Sequence, residues 1–232
     1  ENTTVGVVPR RRDDFRAALA AAGPTVIQLL AQVHAQCQAS ASHMGAALRC
    51  LASWMRSSAL SFELIQSSPL LGYAFSATCD PVTFDAAVDA LVELVHCTRF
   101  AEAHTPQLVA AIVPPTLALV PQLDEAARAG DEDAARTLVR LFTEVGEQYL
   151  PAILAQQPAW AVQLADGVLR GCAYSEPAIA EMTFNFWYML AEELAGSGRA
   201  LPFEQRAEVC ARFGPVFLSL LRAFRTLAEF PA

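Results

Sequence analysis

Of the 232 residues, 54% are apolar and only 17% are charged, with a formal net charge of −8. That balance excludes a disordered chain and supplies enough apolar surface for a continuous core; all sixteen basic residues are Arg, which excludes the phosphate-binding loop whose Lys must reach a nucleotide. The negative charge is concentrated, since residues 80–148 hold twelve acids against four Arg while residues 1–79 are slightly positive, and an acidic surface there repels nucleic acid and attracts basic peptides or proteins.

Two long uncharged stretches raise the question of a membrane span. Residues 17–48 lack Asp, Glu and Arg, but Gly23-Pro24, several Gln and Ser and two His interrupt them. Residues 103–123 carry Pro106, Pro114, Pro115 and Pro121. Neither supplies the roughly 20 consecutive apolar residues that a spanning helix needs, and prolines at that density free backbone groups that lipid does not satisfy. The polar and then Arg-rich start lacks the form of a signal peptide. The chain opens on Glu1 without an initiator Met and reads as a piece of something longer.

Strand signals are nearly absent; apolar residues recur at helical spacing between short Pro, Gly, Ser or Asp breaks. A helix is expected from about Arg11 to a break at Gly23-Pro24, a second from Pro24 toward Gln38, and a third capped by Ser42 and reaching about Ser57. Ser68-Pro69 opens a short helix ending near Ala77, with Pro at the first helical position. Asp80-Pro81 starts a helix to about Glu102, with Val88, Leu91, Val92 and Val95 on its apolar face. Thr105-Pro106 opens the next, kinked at Pro114-Pro115 and ending before Gly130. Asp131 caps a helix through Tyr149, whose first turn carries Glu132 and Asp133 where the helix dipole favours acids. Pro158 begins a helix to Gly171, Ser175 caps one from Glu176 to Leu194, and Leu201-Pro202 opens the last, kinked at Gly214-Pro215.

About ten helices in antiparallel pairs result. The first helices of successive pairs begin near Ser42, Asp80, Asp131 and Ser175, a spacing that scatters around the roughly 40–47 residues of HEAT and armadillo units. The segments from Gly23-Pro24 and from Gly214-Pro215 resemble each other, and Trp54 and Trp187 both fall mid-helix. The expected class is all-α, a right-handed α-α superhelix of HEAT/armadillo type, with residues 1–232 forming one solenoid segment of about five repeats. One pair cannot bury its own apolar faces, so neighbours stack and leave extended surfaces suited to large partners.

No constellation carries a reaction. The histidines His34, His43, His96 and His104 have no metal-ligand spacing. Cys37, Cys50, Cys79, Cys97, Cys172 and Cys210 form no CxxC or zinc pattern and read as small buried reduced thiols. Gly196-Ser197-Gly198 has no strand beside it to build a nucleophile elbow. No enzyme, metal or cofactor is expected. The run from Phe184 to Tyr188 reads as a helix buried on several sides, with Met182, Phe186 and Met189 toward one neighbour and Phe184, Trp187 and Tyr188 toward another. Asp85, Asp89 and Glu93 form an i, i+4, i+8 stripe that reads as a solvated face. Asp124, Glu125, Asp131, Glu132 and Asp133 flank one loop and are the candidate docking residues for a basic partner.

Three segments carry a family resemblance. Arg49-Cys50-Leu51-Ala52-Ser53-Trp54, the Phe-Thr-Glu helix from Leu141 to Leu150, and the segment from Glu181 to Leu190 with its Phe-Asn-Phe-Trp-Tyr core resemble the SR-protein transportin and importin-13 branch of the importin-β superfamily, in that family's order. Arg10-Arg11-Arg12 before the first helix also fits. The resemblance implies a nuclear import receptor that takes up protein cargo, such as Arg/Ser-rich splicing factors, releases it to RanGTP, meets nucleoporins and shuttles between cytoplasm and nucleus. It implies no direct nucleic-acid binding and no membrane insertion. The N-terminal Ran-binding repeats and the C-terminal Arg-rich cargo-binding helix of such receptors have no counterpart here. The rival reading is a HEAT or armadillo scaffold without a transport cycle.

Overall fold

The computed structural model describes residues 9–37, 40–57, 60–99, 102–172, 174, 176–196 and 201–229. Among them lie twelve α-helices, one 3-10 turn and no strand, an all-α fold of HEAT-type helix pairs. Two of the twelve are single turns of five residues, leaving ten of eight residues or more. Helices begin at residues 41, 84, 132 and 177, intervals of 43, 48 and 45, closer to a regular HEAT period than the expected starts. The chain divides into two compact units, Glu1–Phe100 and Ala101–Ala232.

The first unit holds α1 (Pro9–Cys37), α2 (Ala41–Arg56), α3 (Phe62–Gln66), α4 (Leu70–Ala77) and α5 (Phe84–Cys97). Its centre is the α2–α5 pair, flanked by α1 on α2 and by α4 on α5. Met44, Leu48, Leu51 and Met55 bury one face of α2 at the 3–4 spacing of an amphipathic helix. From Ala86 to Val95, α5 is buried at every position but Asp89. Three expectations change here. The helix does not break at Gly23-Pro24: α1 runs through it, and it already contains Arg10, Arg11 and Arg12. A mid-helix Pro costs about 3 kcal/mol, and burial of Ile27 and Leu30 beyond it, at about 1.5–3 kcal/mol for each large apolar side chain, offsets that. Ser40 rather than Ser42 holds the N-cap position of α2, and its hydroxyl meets His43 Nδ1 at 2.6 Å. Asp80-Pro81 forms a turn, with Asp80 Oδ1 accepting from the Val82 N–H at 2.9 Å, and α5 starts only at Phe84 and ends at Cys97.

The second unit holds a 3-10 turn (Glu102–His104), α6 (Thr105–Leu117), α7 (Val120–Ala129), α8 (Glu132–Gln156), α9 (Pro158–Cys172), α10 (Pro177–Glu181), α11 (Phe184–Ala195) and α12 (Phe203–Glu229). Here α8 and α9 form the central pair; α8 also packs on α6, α7 and α11, and α9 on α6, α10 and α12. The pair closes tightly because Gly167 lets the fully buried ring of Phe142 approach the α9 backbone. Again proline misleads. α8 runs past Tyr149 and through Pro151 to Gln156, because Leu150, Ile153 and Leu154 lie in the core. Likewise α12 runs through Gly214-Pro215. The kink expected at Pro114-Pro115 is instead a helix end three residues later, at Ala118-Leu119. The expected helix from Glu176 to Leu194 is interrupted at Met182-Thr183, where Thr183 becomes the N-cap residue of α11. Ser175, Ser197 and Gly198 lie outside the described residues.

The aromatic run is buried on one side only. Phe186, Trp187, Leu190 and Leu194 form the inner stripe, while Phe184 and Tyr188 are 49% and 65% exposed. Phe184 touches Phe224 edge-on at 5.7 Å. Inside, the Trp187 Nε1–H donates to Cys172 Sγ at 3.3 Å, and Cys172 Sγ lies 3.1 Å from the Thr183 hydroxyl. None of the six cysteines is in a disulfide, and only Cys172 is fully buried; Cys50 and Cys79 are exposed, which corrects the expectation of buried thiols. Continuity of the helices also alters the membrane reading. Asp13–Cys37 and Thr105–Ala129 reach the length and mean hydropathy of a spanning segment, 1.2 and 1.3. The second of these is divided between α6 and α7, both packed on α8.

Candidate functional site

The five candidate acids converge on one end of the α7–α8 hairpin. Gly130, at φ +68°, ends α7 in the left-handed region that an L side chain adopts only under strain. This tight reversal brings Asp124 and Glu125 on α7 near Asp131, Glu132 and Asp133 at the start of α8. Their chemistry differs. The Asp131 carboxylate accepts from the Ala134 N–H at 3.0 Å and caps α8. Glu132 and Asp133 stand exposed in the first helical turn. Glu125 pairs with Arg128, three residues on. Asp124 pairs with Arg170 of α9, whose other terminal nitrogen donates to Asp166 at 3.1 Å.

Tyr174 lies among these carboxylates. Burial first, and then the negative charges of Asp131, Asp124 and Glu132, push its phenol above the ordinary value of 10.0. Glu176 approaches Arg136 at 3.9 Å on the same end of the unit. Asp166, Arg170, Tyr174 and Glu176 were not singled out from sequence. The one available signal was the i, i+4 spacing of Asp166 and Arg170.

The second acidic group behaves otherwise. Asp85 and Asp89 are exposed, but Glu93 is only 8% exposed, so the solvated stripe ends one turn early. The cause is Arg56 at the C-terminal end of α2, whose Nε and Nη2 donate to Glu93 Oε1 at 2.9 and 2.6 Å. One turn further, burial and then the charge of Glu93 push the Cys97 thiol up to about 12. Such a thiol is not a nucleophile at neutral pH.

A hollow of about 360 Å³ opens in the second unit between Leu117, Val120, Val162, Gln163, Asp166 and Val216. Four of these six are aliphatic, and its one charged wall residue is Asp166. Among the described residues, no three His, Cys, Asp or Glu side chains are placed to hold a metal ion. What the arrangement offers is surface: exposed helix ends bearing carboxylates, and an apolar hollow beside them.

Comparison with known proteins follows the same division. A family model described as an Exportin 1-like protein matches residues 7–91, within the first unit. A model described as the Transportin-3/Importin-13 second TPR domain matches residues 130–225, within the second. The chain is 27% identical to Importin-13 of Gallus gallus over 232 residues, covering 96% of this chain and 23% of the importin. It is 27% identical to Transportin MOS14 of Arabidopsis thaliana over 245 residues, covering 99% and 24%. It is 28% identical to an uncharacterized protein of Schizosaccharomyces pombe over 214 residues, covering 90% and 21%. The chain therefore spans less than a quarter of the length of the curated relatives it matches.

Proposed function

We propose, from the premise that the chain belongs to the importin-β superfamily in its transportin/importin-13 branch, that it is part of a karyopherin-type nuclear import receptor. Such a receptor binds protein cargo in the cytoplasm, carries it past nucleoporins and gives it up to RanGTP. The protein shuttles between cytoplasm and nucleus and performs no reaction of its own. The observation that carries this reading is the coincidence of two matches to transport-receptor models with the two compact helical units. In this reading residues 1–232 are one solenoid segment of the receptor, about five repeats long, and binding is distributed over stacked helix ends.

Within that segment, Asp124, Glu125, Asp131, Glu132 and Asp133 contribute to holding basic cargo. Two measurements test the reading. Pull-down of the full-length protein with RanGTP and RanGDP should show capture by the GTP form alone; equal capture by both, or none, would favour a scaffold outside the transport cycle. Neutralising the five acids in the full-length receptor should weaken binding of basic cargo and flatten its salt dependence. Unchanged binding at low and high salt rejects their role.

A further inference from the structure

The hollow of the second unit and the carboxylates beside it share a register. Val120 and Val162 line the hollow on α7 and α9. Asp124 and Asp166 stand four residues further along the same two helices, on the same faces and about 6 Å along each axis. Arg170 bridges the two carboxylates. Two acids share one guanidinium, so a net negative charge remains at this end of the groove. Both acid side chains are partly exposed, 42% for Asp124 and 52% for Asp166, so their remaining lone pairs face solvent.

We infer that the hollow and its two flanking aspartates form a docking groove for an extended basic peptide that presents an aliphatic residue and an Arg two positions apart. This deepens, and rests on, the reading of the chain as a binder of proteins. A volume of about 360 Å³ lies at the small end of ligand sites, enough to admit an aliphatic side chain with room to spare. In an extended peptide, residues i and i+2 lie on one face about 6.6 Å apart. That matches the offset from the valines to the aspartates. The guest's aliphatic side chain enters the space between Leu117, Val120, Val162 and Val216, and its guanidinium meets Asp124 and Asp166 beside Arg170. The residual charge selects a basic guest over a neutral one and disfavours nucleic acid.

The test is a methyl chemical-shift titration of the full 232-residue chain. The probe is a ten-residue Ser/Gly peptide holding one Leu-Ser-Arg triplet. Two control peptides replace Arg by citrulline or Leu by Ser. The expected result is saturable shifts at the methyls of Leu117, Val120, Val162 and Val216, with affinity lower by about fivefold or more for each control peptide. Asp166→Asn, an exposed substitution, should weaken the probe to a similar degree, and so should Val162→Ser if that variant keeps the native spectrum. Equal binding of the citrulline peptide overturns the inference. So does a titration to several millimolar probe that leaves these four methyls unmoved, or shifts confined to the Glu132 and Asp133 region. The RanGTP pull-down is independent, so a receptor that captures RanGTP while its groove ignores the probe refutes the groove and leaves the receptor reading standing.

Discussion

Gly167→Ala tests the close packing on which the second unit depends. A Cβ built at Gly167 lies 2.6 Å from Cδ1 and Cε1 of Phe142, whereas carbon contacts are comfortable only from about 3.5 Å. The ring or the helix must therefore move by about 0.9 Å. Phe142 is fully buried, and one turn along α9 the backbone at Gly171 is equally close to Val139. A slide of α9 to relieve one contact therefore disturbs the other as well. Overpacking of this kind costs about 1–3 kcal/mol, and Ala recovers about 0.8–1 kcal/mol as the better helix former, leaving a net loss of up to about 2 kcal/mol. Gly72→Ala on α4 is the control, because nothing lies within 4 Å of its built Cβ; it should gain up to about 1 kcal/mol. Urea unfolding followed by tryptophan fluorescence in a Trp54→Phe background reads the second unit alone, through Trp160 and Trp187; the Gly72→Ala control, in the first unit, is read by circular dichroism of the whole chain. Adding Phe142→Leu should relieve much of the Gly167→Ala penalty. A Gly167→Ala protein that gains stability as Gly72→Ala does, or a double variant that shows no relief, would refute the argument.

The Cys97 thiol, pushed to about 12 from an ordinary 9.0, is neutral in the fold at pH values where the unfolded chain is already ionised. Its contribution is complete below pH 9 and is lost as pH rises toward 12. The urea midpoint of the reduced protein should therefore fall above pH 9, and Cys97→Ala should flatten that fall; an unchanged slope would count against it. Maleimide labelling at neutral pH should modify Cys50 and Cys79 and spare Cys97 and Cys172, a pattern read directly by mass spectrometry. Asp131→Ala removes the α8 cap and should cost about 1 kcal/mol, with Asp131→Asn near neutral in the same melt. Arg56→Met leaves the buried Glu93 carboxylate without its guanidinium and should lower the melting temperature; Arg49→Met, on an exposed turn of the same helix, should not, and equal melts would show the pair to be idle.

Helix content and period were legible because they depend on local spacing. Asp131 was a correct cap because a carboxylate before an acidic first turn satisfies an orphan N–H whatever else surrounds it. Prolines misled because their cost is local while the compensating burial is not. Nothing near Pro24 or Pro151 in the sequence says that Leu30 or Ile153 will be covered by another helix. Breaks at Ala118-Leu119 and Met182-Thr183 fall at residues with no strong propensity against helix, where packing partners change. The acidic candidates were visible as a cluster, yet their partner Arg170 lies 46 residues beyond Asp124. The aliphatic wall of the hollow comes from four helices, and Glu93 went unrecognised because its partner is 37 residues earlier.

These placements separate two electrostatic roles that composition alone merges. Asp124 and Glu125 already face guanidinium groups, and Asp131 is committed to its cap. Their charges still count in the field around the unit, but their hydrogen-bonding capacity is partly spent. Glu132 and Asp133 project into solvent, where a contact with a basic guest is screened over about 8 Å at physiological salt and is worth little by itself. An acidic end of this kind acts mainly on encounter, raising the association rate of basic partners. Duration of binding must come from apolar surface taken out of water, and beside these acids that surface is the hollow of Leu117, Val120, Val162 and Val216. Salt should therefore slow association strongly while changing dissociation little, and substitutions in the hollow should do the reverse.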